Sequence, residues 1–304
     1  MPSLPSPSHA GIAAGLSAFL IWGLLPMYWK ALAAVAPLEL LCHRIVWSLV
    51  FLALLVTLRR GWPGVAHALR SRRDVLLLAL SSVLVSGNWF LYIWAVNNGH
   101  VVESSLGYYI NPLVNVLLGF VVFRDRLRRV QTVAILLAAA GVLNMVWHFG
   151  RAPWLALALA GSFGLYGLVR KVAAVESING LFFETLVLTL PASAYLWLLE
   201  AEGTGALGHL GWSTDLLLAG AGVVTATPLV LFAFAARRLR LATVGVLQYL
   251  APTGMFLLGV FVYREPFSPA HMVTFLLIWA GVALYTADGL RSLRPARGGA
   301  PRQD

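Results

Sequence analysis

Ten runs of apolar residues, each near the length needed to cross a bilayer, alternate with short polar connectors along the chain. A hydrocarbon core of roughly 30 Å takes about 20 helical residues. The runs cover residues 11–33, 38–58, 74–96, 103–123, 130–147, 153–169, 179–199, 213–236, 241–263 and 269–287. Barrel strands would be shorter and would alternate apolar with polar positions, so the pattern predicts helices. Outside it, the Pro- and Ser-rich head at 1–10 lacks the basic start of a signal peptide, and the tail at 289–304 is equally polar. Both read as disordered.

Composition sharpens this to an all-α integral membrane protein. Hydrophobic residues make up 60% of the chain and charged residues 11%, where a soluble domain carries about a quarter charged. The single cysteine, Cys42, excludes an intramolecular disulfide and a Cys-rich metal site. No cofactor or metal site is expected.

Charge then orients the spans. Eighteen Lys and Arg residues fall in the even-numbered connectors and the tail, among them Arg59, Arg60, Arg124, Arg170, Lys171, Arg238 and Arg294. The opposite side carries Lys30, Arg151 and Arg264 alone, and Arg44 lies within a span. Under the positive-inside rule both termini are cytoplasmic. The net charge of +10 is thereby topological, and no nucleic-acid partner is expected.

The chain also repeats itself. At a shift of 140, fourteen of the 48 positions from 95 to 142 are identical, including Tyr109 with Tyr249, Pro112 with Pro252, Gly119 with Gly259, Arg124 with Arg264 and Gly141 with Gly281. At a shift of 141, Gly23 meets Gly164 and Lys30 meets Lys171. Two five-helix repeats follow, at 11–147 and 148–288. Five is odd, so the copies cross the membrane in opposite senses, an architecture that places a substrate site near the midplane at the repeat interface.

One segment breaks the apolar pattern: NNGHVVESSLGYYINP, residues 97–112. Its start reads as a turn between spans three and four, and Glu103, Ser104 and Ser105 read as caps for the free N–H groups of the next helix. Ser104, Tyr108, Asn111 and Asn115 then share one helical face. In lipid each amide would cost a few kcal/mol, so the stripe faces protein or water. Asn88 and Tyr92 form a matching stripe on span three. The two stripes either bond to each other as helix glue or line a substrate pathway, to which Trp22, Tyr166 and Gln248 are added. Pro26, Pro112, Pro228 and Pro252 are expected to kink their spans. At the shift of 140, Tyr108, Asn111 and Asn115 meet Gln248, Ala251 and Met255, so most of the polarity comes from the first repeat.

Charge inside a span costs roughly 2.5–3.5 kcal/mol on insertion scales and singles out His43, Arg44 and Glu184. His43 and Glu184 align at the shift of 141, each about 7–9 Å inside its helix end at 1.5 Å per residue. Glu184 is read either as a proton-coupling or charge-neutralising group or as the structural partner of a connector arginine such as Arg170. Arg44 is expected to pair with Glu39 or Glu103 or to bind a carboxylate. Trp29, Trp47, Trp62, Trp154, Trp197 and Trp212 sit near helix ends, as an interfacial belt would. Trp22, Trp89 and Trp94 lie deeper, where they could stack on a ligand.

The stretches IWGLLPMYWKAL (21–32), LLCHRIVWSLVF (40–51), SGNWFLYIWAVNNGHVVESSLGYYINPLVNVLLG (86–119), FGLYGLVRK (163–171) and RLRLATVGVLQYLAPTGMFLLGV (238–260) resemble the RarD permeases, of the EamA branch of the drug/metabolite transporter superfamily. The resemblance spans about residues 11–288 and implies a ten-span bacterial inner-membrane permease with duplicated halves. It implies efflux as well, since related branches export amino acids and other metabolites. The expected function is a secondary-active or facilitative exporter of small amphipathic metabolites by alternating access, in contact with lipid, monomeric or homodimeric, with protons as the candidate coupling ion. An importer of the same fold is the alternative. An intramembrane enzyme built on Ser162 in the sequence GSFG is a distant third, with no catalytic residue assigned.

Overall fold

The computed structural model describes residues 9–124, 128–173, 175–236, 238–239 and 241–292. They form helices α1 (His9–Ala31), α2 (Pro37–Leu58), α3 (Trp62–Arg70), α4 (Arg72–Asn97), α5 (Val101–Phe123), α6 (Arg129–Phe149), α7 (Trp154–Val172), α8 (Ser177–Ala201), α9 (Trp212–Ala236), α10 (Leu241–Leu247), α11 (Leu250–Leu257) and α12 (Pro269–Ser292). Among the described residues, nine helices are long and apolar enough to cross a membrane, and a shorter apolar segment, Leu250–Val262, adds to them. With α10 it makes the ninth of the ten expected spans.

That ninth span departs from expectation. It is broken at Gln248 and Tyr249 and ends in a π-helical turn, Leu258–Val262. The break precedes Pro252, which has no N–H to give the Gln248 carbonyl; within the break Tyr249 N–H donates to Val246 O at 3.3 Å, an i to i−3 bond in place of the α-helical i to i−4 one. Pro26, Pro112 and Pro228 behave otherwise, lying inside unbroken α1, α5 and α9, as does Pro191 in α8. The duplicated prolines Pro112 and Pro252 thus have different local outcomes. Helix α3 was not foreseen either; it follows α2 where the sequence reads as a connector, with Trp62 Nε1 donating to Thr57 Oγ1 at 3.1 Å.

Packing exchanges partners between the halves. In the first half, α1 packs on α9 and α11; in the second, its counterpart α7 packs on α4 and α5. Glycines show the same exchange at atomic scale. A Cβ on Gly23 would lie 3.1 Å from Ala251 O, and Gly254 approaches Gly23 in return, while one on Gly164 would stand 2.8 Å from Val114. A Cβ on Gly141 would meet Thr274 O at 3.2 Å, and one on Gly281 would meet Ala134 O at 2.7 Å. Each contact is the other moved by 140 or 141 residues. Arg124 and Arg264 also match, both in the left-handed region with φ of 57° and 51°. The molecule is two inverted five-helix repeats packed through small residues, as helices in lipid require when no hydrophobic force draws them together.

Candidate functional site

Arg44 lies on α2 and is 5% exposed. Its guanidinium carbon is 4.0 Å from the ring centroid of Trp89 on α4 and 5.3 Å from that of Trp29 on α1. Tyr92 of α4 and Tyr108 of α5 are its electrostatic neighbours, their rings edge to face at 5.8 Å. The expected pairing of Arg44 with Glu39 or Glu103 does not occur. Glu39 lies 3.9 Å from His43 and accepts from Ala206 N–H at 2.6 Å. Glu103 lies 3.7 Å from His100 and accepts from Leu155 N–H at 3.2 Å. Arg44 Nε and Nη1 are buried without a hydrogen-bond partner, as are Trp29 Nε1 and Tyr92 Oη. Trp29 is therefore a core residue, 0% exposed, where its place near a helix end suggested the interfacial belt. Trp62, Trp154, Trp197 and Trp212 are exposed, as belt residues are.

The polar stripes divide. Asn88 donates to Leu159 O at 3.0 Å and to Ser162 Oγ at 2.9 Å, tying α4 to α7 as helix glue. Its Oδ1 stays unpartnered, and so does Asn111 Oδ1. Asn115 is exposed, and its Oδ1 would lie 3.5 Å and 3.9 Å from Cβ atoms placed on Gly164 and Gly167 of α7. Ser162, the residue of the enzyme reading, gives its hydroxyl to Ala158 O at 2.6 Å. Trp22 packs on Phe19 and Phe232, at 5.3 Å and 5.8 Å between centroids. Gln248 lies half-buried in the break of the ninth span. Trp94 stacks on His100 at 5.5 Å and packs, partly buried, against the core.

Glu184 is wholly buried in α8. Ser81 of α4 donates to its Oε1 at 2.5 Å, Tyr166 of α7 to its Oε2 at 3.3 Å, and Arg170 Nε lies 3.6 Å from Oε1. The arginine alternative raised by the sequence is the arrangement found. A Cβ on Gly180 would collide with the Arg170 guanidinium at 1.8 Å, so the glycine makes room for the pair. Its pseudo-symmetric counterpart His43 faces Glu39 instead, so the aligned positions carry separate polar clusters.

Sequence reasoning missed a set of latches at the end of the bundle opposite the arginine-rich connectors. The free N–H groups at the start of α5 are capped not by Glu103 or the serines but by Glu265. Its two oxygens accept from Val101 and Val102 N–H, both at 2.7 Å. Ser104 and Ser105 donate to His100 O and Val102 O within their own helix. Glu103 in turn reaches the N-terminus of α7, and Glu39 reaches Ala206 between α8 and α9. All three carboxylates cross from one repeat to the other, and two sit at helix N-termini, where negative charge is favoured. A signal existed for Glu265: it follows Arg264 as Asp125 follows Arg124 in the first repeat. Asp125 lies outside the described residues. At the arginine-rich end a cavity of about 480 Å³ opens between α2, α8 and α9, lined by Val56, Arg59, Glu176, Asn179 and Arg238 among others.

Comparison with known proteins follows the same outline. The model of the EamA-like transporter family matches twice, over residues 9–147 and 151–287. Protein RarD of Salmonella typhi is 47% identical over 287 residues, covering 94% of this chain and 98% of that protein. Protein RarD of Escherichia coli K12 is 44% identical, over 94% and 97% of the two chains. The chloramphenicol-sensitive protein RarD of Pseudomonas aeruginosa is 32% identical, over 94% and 97%. One crystal structure superposes with a TM-score of 0.59 at 22% identity, covering 95% of this chain and 100% of the other; that likeness concerns the fold alone.

Proposed function

The chain belongs to the EamA-like transporter family, and on that premise we propose that it exports small amphipathic solutes, amino-acid-like or drug-like, by alternating access. The observation that carries this reading is the exchange of packing partners between the repeats. Contacts such as Gly141 on Thr274 and Gly281 on Ala134 are near copies of each other, so a second state with the two roles swapped costs little new packing. Inverted repeats that rock about a shared site work in this way. The drug-like class is included because one relative's name ties it to chloramphenicol sensitivity.

The excess of arginine on one face supports both termini being cytoplasmic, in a bacterial inner membrane. The face latched by Glu39, Glu103 and Glu265 is then the periplasmic one, and the described conformation is closed toward the periplasm. Solute would enter from the cytoplasmic side and leave when the three carboxylates release.

Purified protein in liposomes tests the proposal. Solutes from a bacterial small-molecule extract should exchange across the membrane with the protein and not without it. A pH gradient would drive that exchange if it is proton-coupled, and only the solute's own gradient if it is facilitated. Failure of every solute to move under either gradient would remove the carrier reading.

A further inference from the structure

We propose that Arg44 is the anchor for a carboxylate on the transported solute; this rests on the carrier reading and assigns its substrate class. The observation is a cation without a counter-charge. Arg44 is buried, and the two carboxylates within reach in sequence, Glu39 and Glu103, are bonded to Ala206 and Leu155 instead.

The ring faces of Trp29 and Trp89 cover the guanidinium. Such cation–π contacts offset part of the cost of burial, but they act on the flat faces. The N–H groups of guanidinium point outward in its plane, and there Nε and Nη1 have no acceptor. The two orphaned donors lie on different edges of the guanidinium, Nε–H on the side it shares with Nη2 and Nη1 on the end it shares with Nη2, and a carboxylate can accept bidentately along either edge. Two further buried polar groups in the same cluster are unsatisfied: Trp29 Nε1, which can only donate, and Tyr92 Oη. The guanidinium thus carries unmatched N–H donors of its own, and the two aromatic residues beside it, Trp29 and Tyr92, each keep an unmatched polar group. Buried donors are normally satisfied, so this cage is built for an acceptor that the protein does not supply.

The opposite polarity sits one helical turn away. Asn88 precedes Tyr92 by four residues on α4, Asn111 follows Tyr108 by three on α5, and both displacements run toward the arginine-rich face. Each amide keeps an unpartnered Oδ1, roughly 5 Å along the helix axis from its tyrosine at 1.5 Å per residue. A carboxylate at Arg44 would place a hydrogen-bond donor of the same solute near these acceptors. The class is an organic carboxylate bearing a donor group, and a phosphate ester is the competing anion to be separated from it.

The test loads proteoliposomes with a bacterial small-molecule extract and identifies by mass spectrometry which solutes exchange. With the wild-type chain the exchanging solutes should be carboxylates, and methyl esterification of the extract should abolish their exchange. Arg44→Met should reduce it at least about tenfold, the scale of losing charge-assisted hydrogen bonds, without lowering the melting temperature in detergent. An uncompensated buried charge contributes no stability, whereas a structural arginine would lower the melting temperature when removed. Arg44→Lys keeps the charge and loses the fork, and guards against a misfolded methionine variant; it too should exchange carboxylates about tenfold more slowly. The proposal is overturned if the exchanging solutes lack a carboxylate, if phosphate esters exchange in their place, or if both variants exchange them as the wild type does. If no solute moves with the wild type, the carrier reading itself has failed.

Discussion

Glu265 accepts hydrogen bonds from the N–H groups of Val101 and Val102, both at 2.7 Å, although more than 160 residues separate them. A residue of the second repeat thereby caps the fourth span of the first. The bond closes one face of the bundle beside the buried Val101 and Val102 side chains, the latter close against Gly259. A bidentate carboxylate on a helix N-terminus combines a cap with a favourable helix dipole.

Glu265→Ala should open that face. Losing a cap of about 1–2 kcal/mol raises the open population roughly 5–30-fold. Cys42 is buried in α2 and is the only cysteine of the chain. Its labelling by a membrane-impermeant maleimide should accelerate by that factor, and further when Glu103→Ala is added. An unchanged labelling rate in both variants would mean that these carboxylates do not hold the face shut.

Two glycines should respond oppositely to the same substitution. A Cβ on Gly222 would stand 2.3 Å from the Trp47 backbone, whereas one on Gly161 meets nothing within 4 Å. Gly222→Ala should therefore cost about 1–3 kcal/mol or more through overpacking. Gly161→Ala should be neutral or should gain up to about 1 kcal/mol from helix propensity. Thermal unfolding in detergent reads both, and equal melting temperatures would contradict the α2–α9 packing described.

Glu184→Gln should weaken folding more than it alters selectivity. It leaves Arg170 beside a neutral amide in a buried cluster, and breaking a buried pair costs about 3–5 kcal/mol. The double variant Arg170→Met with Glu184→Met should recover most of the lost melting temperature, because it removes both charges. If Glu184→Gln keeps full stability but loses response to a pH gradient, the carboxylate couples protons and the structural account is wrong.

Asn88→Leu should separate glue from pathway. The amide gives two hydrogen bonds from α4 to α7, at 3.0 Å and 2.9 Å, and interhelical bonds of this kind average about 0.6 kcal/mol each in membranes. A loss near 1 kcal/mol in chemical unfolding is expected, together with slower exchange of solutes that donate to its free Oδ1. Exchange at the wild-type rate would assign Asn88 to structure alone.

Much of this protein was legible before folding was considered. Bilayer thickness sets span length, so ten apolar runs could be placed from residue type alone. The duplicated landmarks Pro112 and Pro252, Gly141 and Gly281, and Arg124 and Arg264 marked the repeat because shared backbone geometry requires the same residue in both copies. The rarity of charge within apolar runs also picked out Arg44 and Glu184, and the packing buries both. What failed were local rules applied where distant chain supplied the partner. Glu103 and Ser104 looked like caps of their own helix, yet the cap came from Glu265. Trp29 looked interfacial because it sits near a helix end, but it is enclosed in the core with the Arg44 guanidinium of α2 over its ring. Pro112 and Pro252 promised equal kinks, yet only the span of Pro252 is broken.

Residue order alone thus determined class, span number, repeat and the identity of the costly polar groups, since each depends on transfer from water to lipid, a property of the residue itself. Which polar groups meet was decided only by the tertiary packing. Arg170 reached Glu184, Glu265 reached Val101, and Arg44 received two indole faces and no carboxylate. Pairing depends on distances between helices far apart in the chain, and short-range pattern carries no information about them.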